Sequence, residues 1–131
     1  MNAIDVYNLV KTMLEDDYDL REIPNLMLID EVKESHTKDG FILQPTGTTE
    51  TEYANRGLLS SYVWQLEIVF KNVTATERVQ KFDIFNSIKQ SLQQLTGFTG
   101  FEGETTFGRL ANFTFMSLGT INFQFGIEGS C

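Results

Sequence analysis

The residue types that perform catalysis or bind zinc are scarce in this sequence. His36 is the only histidine and lies in a charged segment, EVKESHTKD, where a solvated loop residue is expected. Cys131 is the only cysteine, so the chain can form neither an internal disulfide nor a multi-cysteine metal site. Nucleophilic catalysis usually needs a histidine base, and zinc prefers several thiolates or imidazoles. The sequence therefore predicts no catalytic residues and no zinc site.

Two further clusters have a suggestive composition without the required spacing. Residues 15 to 19, EDDYD, lack the turn glycine and the terminal bidentate glutamate of a calcium-binding EF-hand loop, so they are interpreted as a solvated acidic turn. The glycines of GFTGFEGETTFG, residues 97 to 108, precede a strand-like segment instead of the helix N-terminus that a phosphate site requires. We therefore expect no metal and no cofactor.

Composition limits the remaining classes of protein. A chain of 131 residues predicts a single domain, 1–131, and 41% hydrophobic residues with eleven Phe predict a packed core. Eighteen acidic residues against ten basic ones give a net charge of −8, which disfavours ordinary nucleic-acid binding. Such a surface repels DNA, maintains solubility or faces a basic partner. With no long apolar run and no signal-like start, we expect a soluble cytoplasmic protein with no membrane contact.

Two segments have helical periodicity. In residues 3 to 16 one apolar face is predicted, with Asn2 as the cap and an end before Asp16, because acids are unfavourable at a helix C-terminus. The sequence TATE, residues 74 to 77, fits a capping box and predicts a second helix from Ala75 to about Gly97. The predicted apolar positions are Ile4, Tyr7, Val10, Met13 and Leu14 in the first helix, and Val79, Phe82, Phe85, Ile88, Leu92 and Leu95 in the second.

The clearest strand is Ser60 to Lys71, in which alternate residues are apolar and one face is predicted to be buried. Short buried strands are predicted at residues 26–29, LMLI, and 41–43, FIL, separated by a turn at residues 38–40. The apolar face of the strand predicted at Ser60 to Lys71 consists of Tyr62, Trp64, Leu66, Ile68 and Phe70.

The C-terminal third also predicts strands. A short strand is expected near residues 104–110, and residues 112–128 predict either one bent strand or two strands joined at 117–119. The apolar residues that share a face there are Phe113, Phe115, Ile121, Phe123, Phe125 and Ile127. The order of elements predicts an α+β fold with a largely antiparallel sheet and two amphipathic helices packed on one face.

Residues 46–57, TGTTETEYANRG, are predicted to form a protruding polar loop. Loops of this length are uncommon in small domains and usually carry function or are disordered. Together with the polar face of the last strand, the loop is better suited to contacts with other chains than to a reaction. The candidate subunit or partner contacts are Thr48, Thr49, Glu50, Glu52, Tyr53 and Arg56.

The layout as a whole resembles the tail terminator and minor capsid (neck, head-tail joining) proteins of long-tailed bacteriophages. The resemblance covers an N-terminal helix, a strand pair, the polar loop, SYVWQLEIVFK, the capped helix TATERVQKFDIFNSIKQSLQQL and terminal strands. It implies a non-enzymatic virion protein, assembled in the host cytoplasm, that forms a hexameric ring. The implied partners are the tail tube protein, which the ring caps, and the head connector protein, while DNA passes through without specific binding.

In that reading, residues 46–57 would become ordered against a neighbouring subunit or the tail tube. A ring needs head-to-tail contacts between two different faces of the subunit. Two other classes stay open: another phage connector or tail tube subunit, and a small-molecule-binding α+β domain. The second would need a polar group buried among the aromatic residues of the sheet, and the odd-numbered face from Phe113 to Ile127 offers Ser117 and no ionisable residue. The aromatic residues that could line such a site are Tyr62, Trp64, Phe113, Phe115, Phe123 and Phe125.

Overall fold

The computed structural model describes residues 2–23, 39–53, 57–72, 74–109 and 116–126. The elements are α1 (Ala3–Tyr18), β1 (Arg21–Glu22), β2 (Gly40–Tyr53), β3 (Gly57–Lys71), α2 (Ala75–Gln93), β4 (Phe98–Phe101), β5 (Thr106–Arg109) and β6 (Met116–Gly126). The strands form one sheet in the order β1-β2-β3-β6, with β4 and β5 both pairing with β6. Only the short β1–β2 pair is parallel among these strands. The predicted α+β class with a largely antiparallel sheet is confirmed.

One hydrophobic cluster contains the apolar face of the sheet and the buried residues of both helices. The alternation predicted for β3 is confirmed, since Trp64, Leu66, Ile68 and Phe70 are buried while Tyr62 is half-buried. The members from the other main elements are Val6, Val10, Met13 and Leu14 of α1, Phe41 and Leu43 of β2, Phe85, Ile88 and Leu92 of α2, and Ile121, Phe123 and Phe125 of β6. A second, smaller cluster consists of Ile23, Ile42, Val69 and Met116.

Helix α1 begins at the predicted cap and ends later than predicted. The Asp5 backbone N–H donates to Asn2 Oδ1 at 3.0 Å, and the Asn2 N–H donates to Asp5 Oδ2 at 3.0 Å, which completes a capping box. The predicted end before Asp16 is wrong, because the helix continues to Tyr18. The Tyr18 hydroxyl lies 2.7 Å from Ser91 Oγ on α2. This tertiary contact, together with the burial of Leu14 and Leu20 on either side of the last turn, outweighs a dipole penalty of about 0.3–1 kcal/mol per exposed charge.

Helix α2 begins at Ala75 as predicted, with the Glu77 N–H donating to Thr74 Oγ1 at 3.1 Å. It ends at Gln93, and Gly97 follows with a φ of 99°, a conformation that favours glycine. The Lys81 ammonium lies 2.6 Å from Asp39 Oδ2, which anchors the helix to the start of β2.

The prediction of a loop at residues 46–57 is wrong for residues 46–53 and for Gly57. Residues 46–53 continue β2, and Gly57 begins β3, so that Thr48 pairs with Tyr62 and Tyr53 with Gly57. Residues 54–56 lie outside the described residues. Threonine favours the strand conformation because its branched Cβ fits a pleated surface, and antiparallel pairing satisfies the backbone without an apolar face. The described part of the segment therefore belongs to the long antiparallel pair of β2 and β3.

The C-terminal strands partly match the prediction. Residues 116–126 form one strand, so a break at 117–119 is wrong within that range. The strand predicted at 104–110 corresponds to β5, whereas β4 was missed because its composition is typical of a turn. The predicted residues outside the described ranges are His36, Arg56, Phe113, Phe115, Ile127, Cys131 and the segment 26–29.

Candidate interaction surfaces

The predicted contact residues lie on a two-stranded extension of the sheet. Strand β3 pairs with β6 only from Ser61 onward. Among the described strands, residues 48–53 pair only with β3 and residues 57–60 pair only with β2, and we call these two segments the β2–β3 ribbon. Five of the six predicted contact residues lie on its β2 side: Thr48, Thr49, Glu50, Glu52 and Tyr53. The structure thus brings these five together on one strand.

A β-bulge separates the ribbon from the body of the sheet. Pro45 lies opposite Trp64 and Gly47 lies opposite Val63, so Thr46 is the extra residue. The Thr46 hydroxyl donates to the Val63 carbonyl oxygen at 3.3 Å. A bulge bends its strand and increases the local twist, and proline has no N–H to offer another strand. The edge of β2 is therefore protected from further strand pairing at Pro45. A bend at the bulge also changes the direction of β2 where the ribbon begins.

An apolar groove lies beside the bulge, between α1 and β2. It has a volume of about 530 Å³, and we call it the α1–β2 groove. Ile4 lines it and is 58% exposed, whereas Trp64 is almost completely buried. Among the described residues, the buried Trp64 indole N–H finds no hydrogen-bond acceptor, a cost of about 1–3 kcal/mol. The lining residues are Ala3, Ile4, Tyr7, Glu22, Ile23, Leu43, Gln44, Pro45 and Trp64.

One end of the groove is polar and fixed. The Tyr7 hydroxyl donates to Glu22 Oε2, and Lys11 Nζ lies 3.5 Å from Glu22 Oε1. Burial, and then the hydrogen bond to Glu22 and the charges of Glu22 and Glu15, raise the pKa of Tyr7 to about 12. The hydroxyl consequently stays protonated near neutral pH. It can donate a hydrogen bond but cannot serve as a general base.

A second apolar surface lies on α2, where the sequence predicts core residues. Val79 is 61% exposed and Phe82 is 43% exposed. Ala75, Val79 and Phe82 are spaced four and three residues apart, so they follow one line along the helix. The Phe82 ring centroid lies 5.2 Å from that of Phe107 on β5. The Phe107 ring centroid in turn lies 5.6 Å from that of the buried Phe85. We call Ala75, Val79, Phe82 and Phe107 the α2 apolar flank, which is fixed to the core through its aromatic rings.

The face of the sheet opposite the main core has a row of amides. Gln44, Gln65 and Asn122 are neighbours across β2, β3 and β6, and Gln44 Nε2 donates to Gln65 Oε1 at 3.4 Å. Glu67 is flanked by Ile42 and Thr120 on the adjacent strands. Desolvation by burial raises the pKa of Glu67 above its ordinary value. The centre of this face therefore has neutral polar side chains and one carboxyl group, that of Glu67, whose ionised form is disfavoured by burial.

The described residues contain no cluster of three or more His, Cys, Asp and Glu side chains that could hold a metal ion. The acidic segment 15–19 forms the last turn of α1 and its cap instead of a separate turn. Within the described ranges, neither helix combines the length and the apolar character needed to cross a bilayer.

A scan against protein-family models found no match to this chain, and a search of curated proteins found none either. Function is therefore inferred from the surfaces themselves. The groove and the α2 apolar flank were both missed from the sequence. Their signal is present in the apolar stripes of the two helices, but a stripe does not reveal which of its residues another element covers.

Proposed function

We propose that this chain is a non-enzymatic structural subunit of a long-tailed phage, a tail terminator or head-tail joining protein that forms a ring. The β2–β3 ribbon is the observation that supports this most directly. An isolated two-stranded hairpin is marginally stable in water. The ribbon, which has no other strand partner among the described residues, gains stability when it packs against another surface. In a ring, each neighbouring subunit supplies such a surface.

The proposed ring caps the tail tube and connects it to the head, and its protein partners are the tail tube protein and the head connector protein. The net charge of −8 supports the passage of DNA without specific binding, because fixed Lys and Arg would retain phosphates. The proposed location is the virion, after assembly in the host cytoplasm. Another connector or a tail tube subunit would share this assembly logic and differ in its partners.

The mass of the purified protein in solution tests the proposal. Light scattering coupled to size exclusion would be measured over a range of concentrations, first alone and then with tail tube protein. We expect a species of about six subunits, or a monomer that converts to one when the tube protein is added. A chain that stays monomeric under all these conditions would contradict a ring-forming function and favour a ligand-binding domain.

A further inference from the structure

The α1–β2 groove and the α2 apolar flank lie toward opposite edges of the sheet. The groove is formed by α1 with β1, β2 and β3, and the flank is formed by α2 with β5. The strand order places β1 and β2 at one edge, while β5 pairs with β6 on the other side of β3. A contact between the groove of one copy and the flank of another is head-to-tail and can repeat. Such contacts generate rings or filaments.

We propose that the α2 apolar flank of one copy docks into the α1–β2 groove of the next copy. This inference rests on the proposed ring-forming function and assigns the surfaces that meet. The groove is concave and mostly apolar, and its volume of about 530 Å³ gives room for side chains such as Val79 and Phe82. Both residues protrude from a helix whose aromatic anchor is fixed against the core. Val79 and Phe82 are neighbours on one line of the helix, so their exposed side chains can enter a single groove together.

Charge favours this pairing over a symmetric contact between two grooves. Helix α1 has four acidic residues and one lysine, whereas α2 has three basic and two acidic residues. Glu22 of β1 lines the groove itself, so two grooves that faced each other would bring two Glu22 carboxylates together, and like charges across an interface disfavour association. The near-neutral α2 meets no such repulsion against α1. The second copy therefore presents its α2 and not its α1.

Two substitutions at the most exposed positions test the contact. Ile4→Glu places a charge on the groove rim, and Val79→Glu places one on the flank. Both positions are exposed on helices, where glutamate is well tolerated, so the monomers should fold, as circular dichroism would verify. Thr12→Glu and Gln90→Glu are the matched controls, since they add the same charge to exposed helical positions outside both surfaces.

Each variant alone should associate at least about tenfold more weakly than the wild type, because a desolvated charge would enter the contact. The two controls should assemble like the wild type. An equimolar mixture of Ile4→Glu and Val79→Glu keeps one intact flank and one intact groove. It should therefore form a dimer and no larger species. All masses would be measured by light scattering, alone and with tail tube protein.

Three results would overturn the inference. If wild type and both variants assembled equally, the surfaces would not meet, although the ring-forming function would stand. If each variant lost assembly but the mixture formed no dimer, the groove and flank would not be each other's partners. If the wild type itself remained monomeric with and without tube protein, both the inference and the proposed function would fail. In the first of these cases, Nile red binding would be measured as well. If the wild type bound the dye and Ile4→Glu did not, the groove would be assigned to a small apolar ligand.

Discussion

At the scale of single residues, Gly119 shows most clearly how the core constrains the sequence. It lies on β6 opposite Ile68 of β3 and Phe107 of β5. A Cβ atom at this position would lie 2.5 Å from Cε1 of Phe85, which is fully buried. The Phe85 ring is itself packed against Phe70 and Phe107, with centroids 6.2 and 5.6 Å apart. Glycine is required here by the close approach of the helix.

We predict that Gly119→Ala lowers the free energy of unfolding by about 1–3 kcal/mol, the usual cost of overpacking a core. Urea denaturation would measure the change. Gly108→Ala on the adjacent strand is the matched control, because the Cβ it would add has no described atom within 4 Å other than those of Gly108 and its two chain neighbours. Equal effects of the two substitutions would show that loss of backbone freedom, and not contact with Phe85, determines the result.

Glu67 provides a second residue-level prediction. Because burial raises its pKa in the folded state, folding is favoured when this carboxyl is protonated, and that contribution is lost as the pH rises through the folded-state pKa. Glu67→Gln should therefore unfold at higher urea concentration than the wild type at neutral pH. The difference should disappear at acidic pH, below the ordinary glutamate pKa of about 4.3.

Denaturation over a series of pH values would measure this difference. Glu104→Gln, at an exposed position, is the control and should match the wild type throughout. A Glu67→Gln variant that was less stable than the wild type at neutral pH would show that the carboxylate makes a favourable contact that outweighs its desolvation.

At the scale of elements, the sequence predicts the helices and strands that have one buried face. It does not predict elements whose existence or length depends on strand pairing or on a tertiary contact. Periodicity identifies α1, α2, β3 and β6 because each buries a regular apolar stripe. The ribbon has no such stripe, so the Thr- and Glu-rich sequence of its β2 side resembles a loop. Only its backbone pairing with β3 identifies it as a strand. The end of α1 depends on the contact of Tyr18 with α2, between residues distant in sequence. Likewise, no pattern within α2 shows that the sheet leaves Val79 and Phe82 exposed.

The ribbon can be tested as an element independent of the core. Replacing residues 50–60 with Asn-Gly would join Thr49 to Ser61, which are paired, through a favoured two-residue hairpin turn. The pairing of β3 with β6 begins at Ser61 and would remain. We predict a folded monomer of near wild-type stability that no longer forms the proposed ring or binds the proposed partners. Thermal denaturation and light scattering would measure the two properties separately.

A matched variant, Glu50→Gln combined with Glu52→Gln, keeps the ribbon and removes two of its charges. If it assembled normally while the shortened chain did not, the shape of the ribbon would be the determining feature. Full assembly of the shortened chain would instead mean that the ribbon is not required for the proposed function.

At the scale of the whole molecule, charge separates a channel subunit from a DNA-binding protein. The chain has a net charge of −8, and four exposed acids lie on α1 alone. The amide row on the sheet adds neutral polar groups without fixed cations. Non-specific affinity for DNA comes from Lys and Arg that neutralise phosphates and release counterions. The proposed ring would repeat the same net negative charge in every subunit, so assembly should not create an affinity for DNA that the monomer lacks.

We therefore predict no binding of double-stranded DNA by either the monomer or the assembled protein, even at about 50 mM salt, where non-specific binders are strengthened. Fluorescence anisotropy of a labelled duplex would measure this, with a basic protein of similar size as the positive control. The signal should stay constant as this protein is added. Saturable binding that weakened with added salt would reveal clustered cations facing the DNA and would contradict free passage, while leaving the ring itself intact. Because anisotropy and light scattering report different properties, passage and assembly can fail independently of each other.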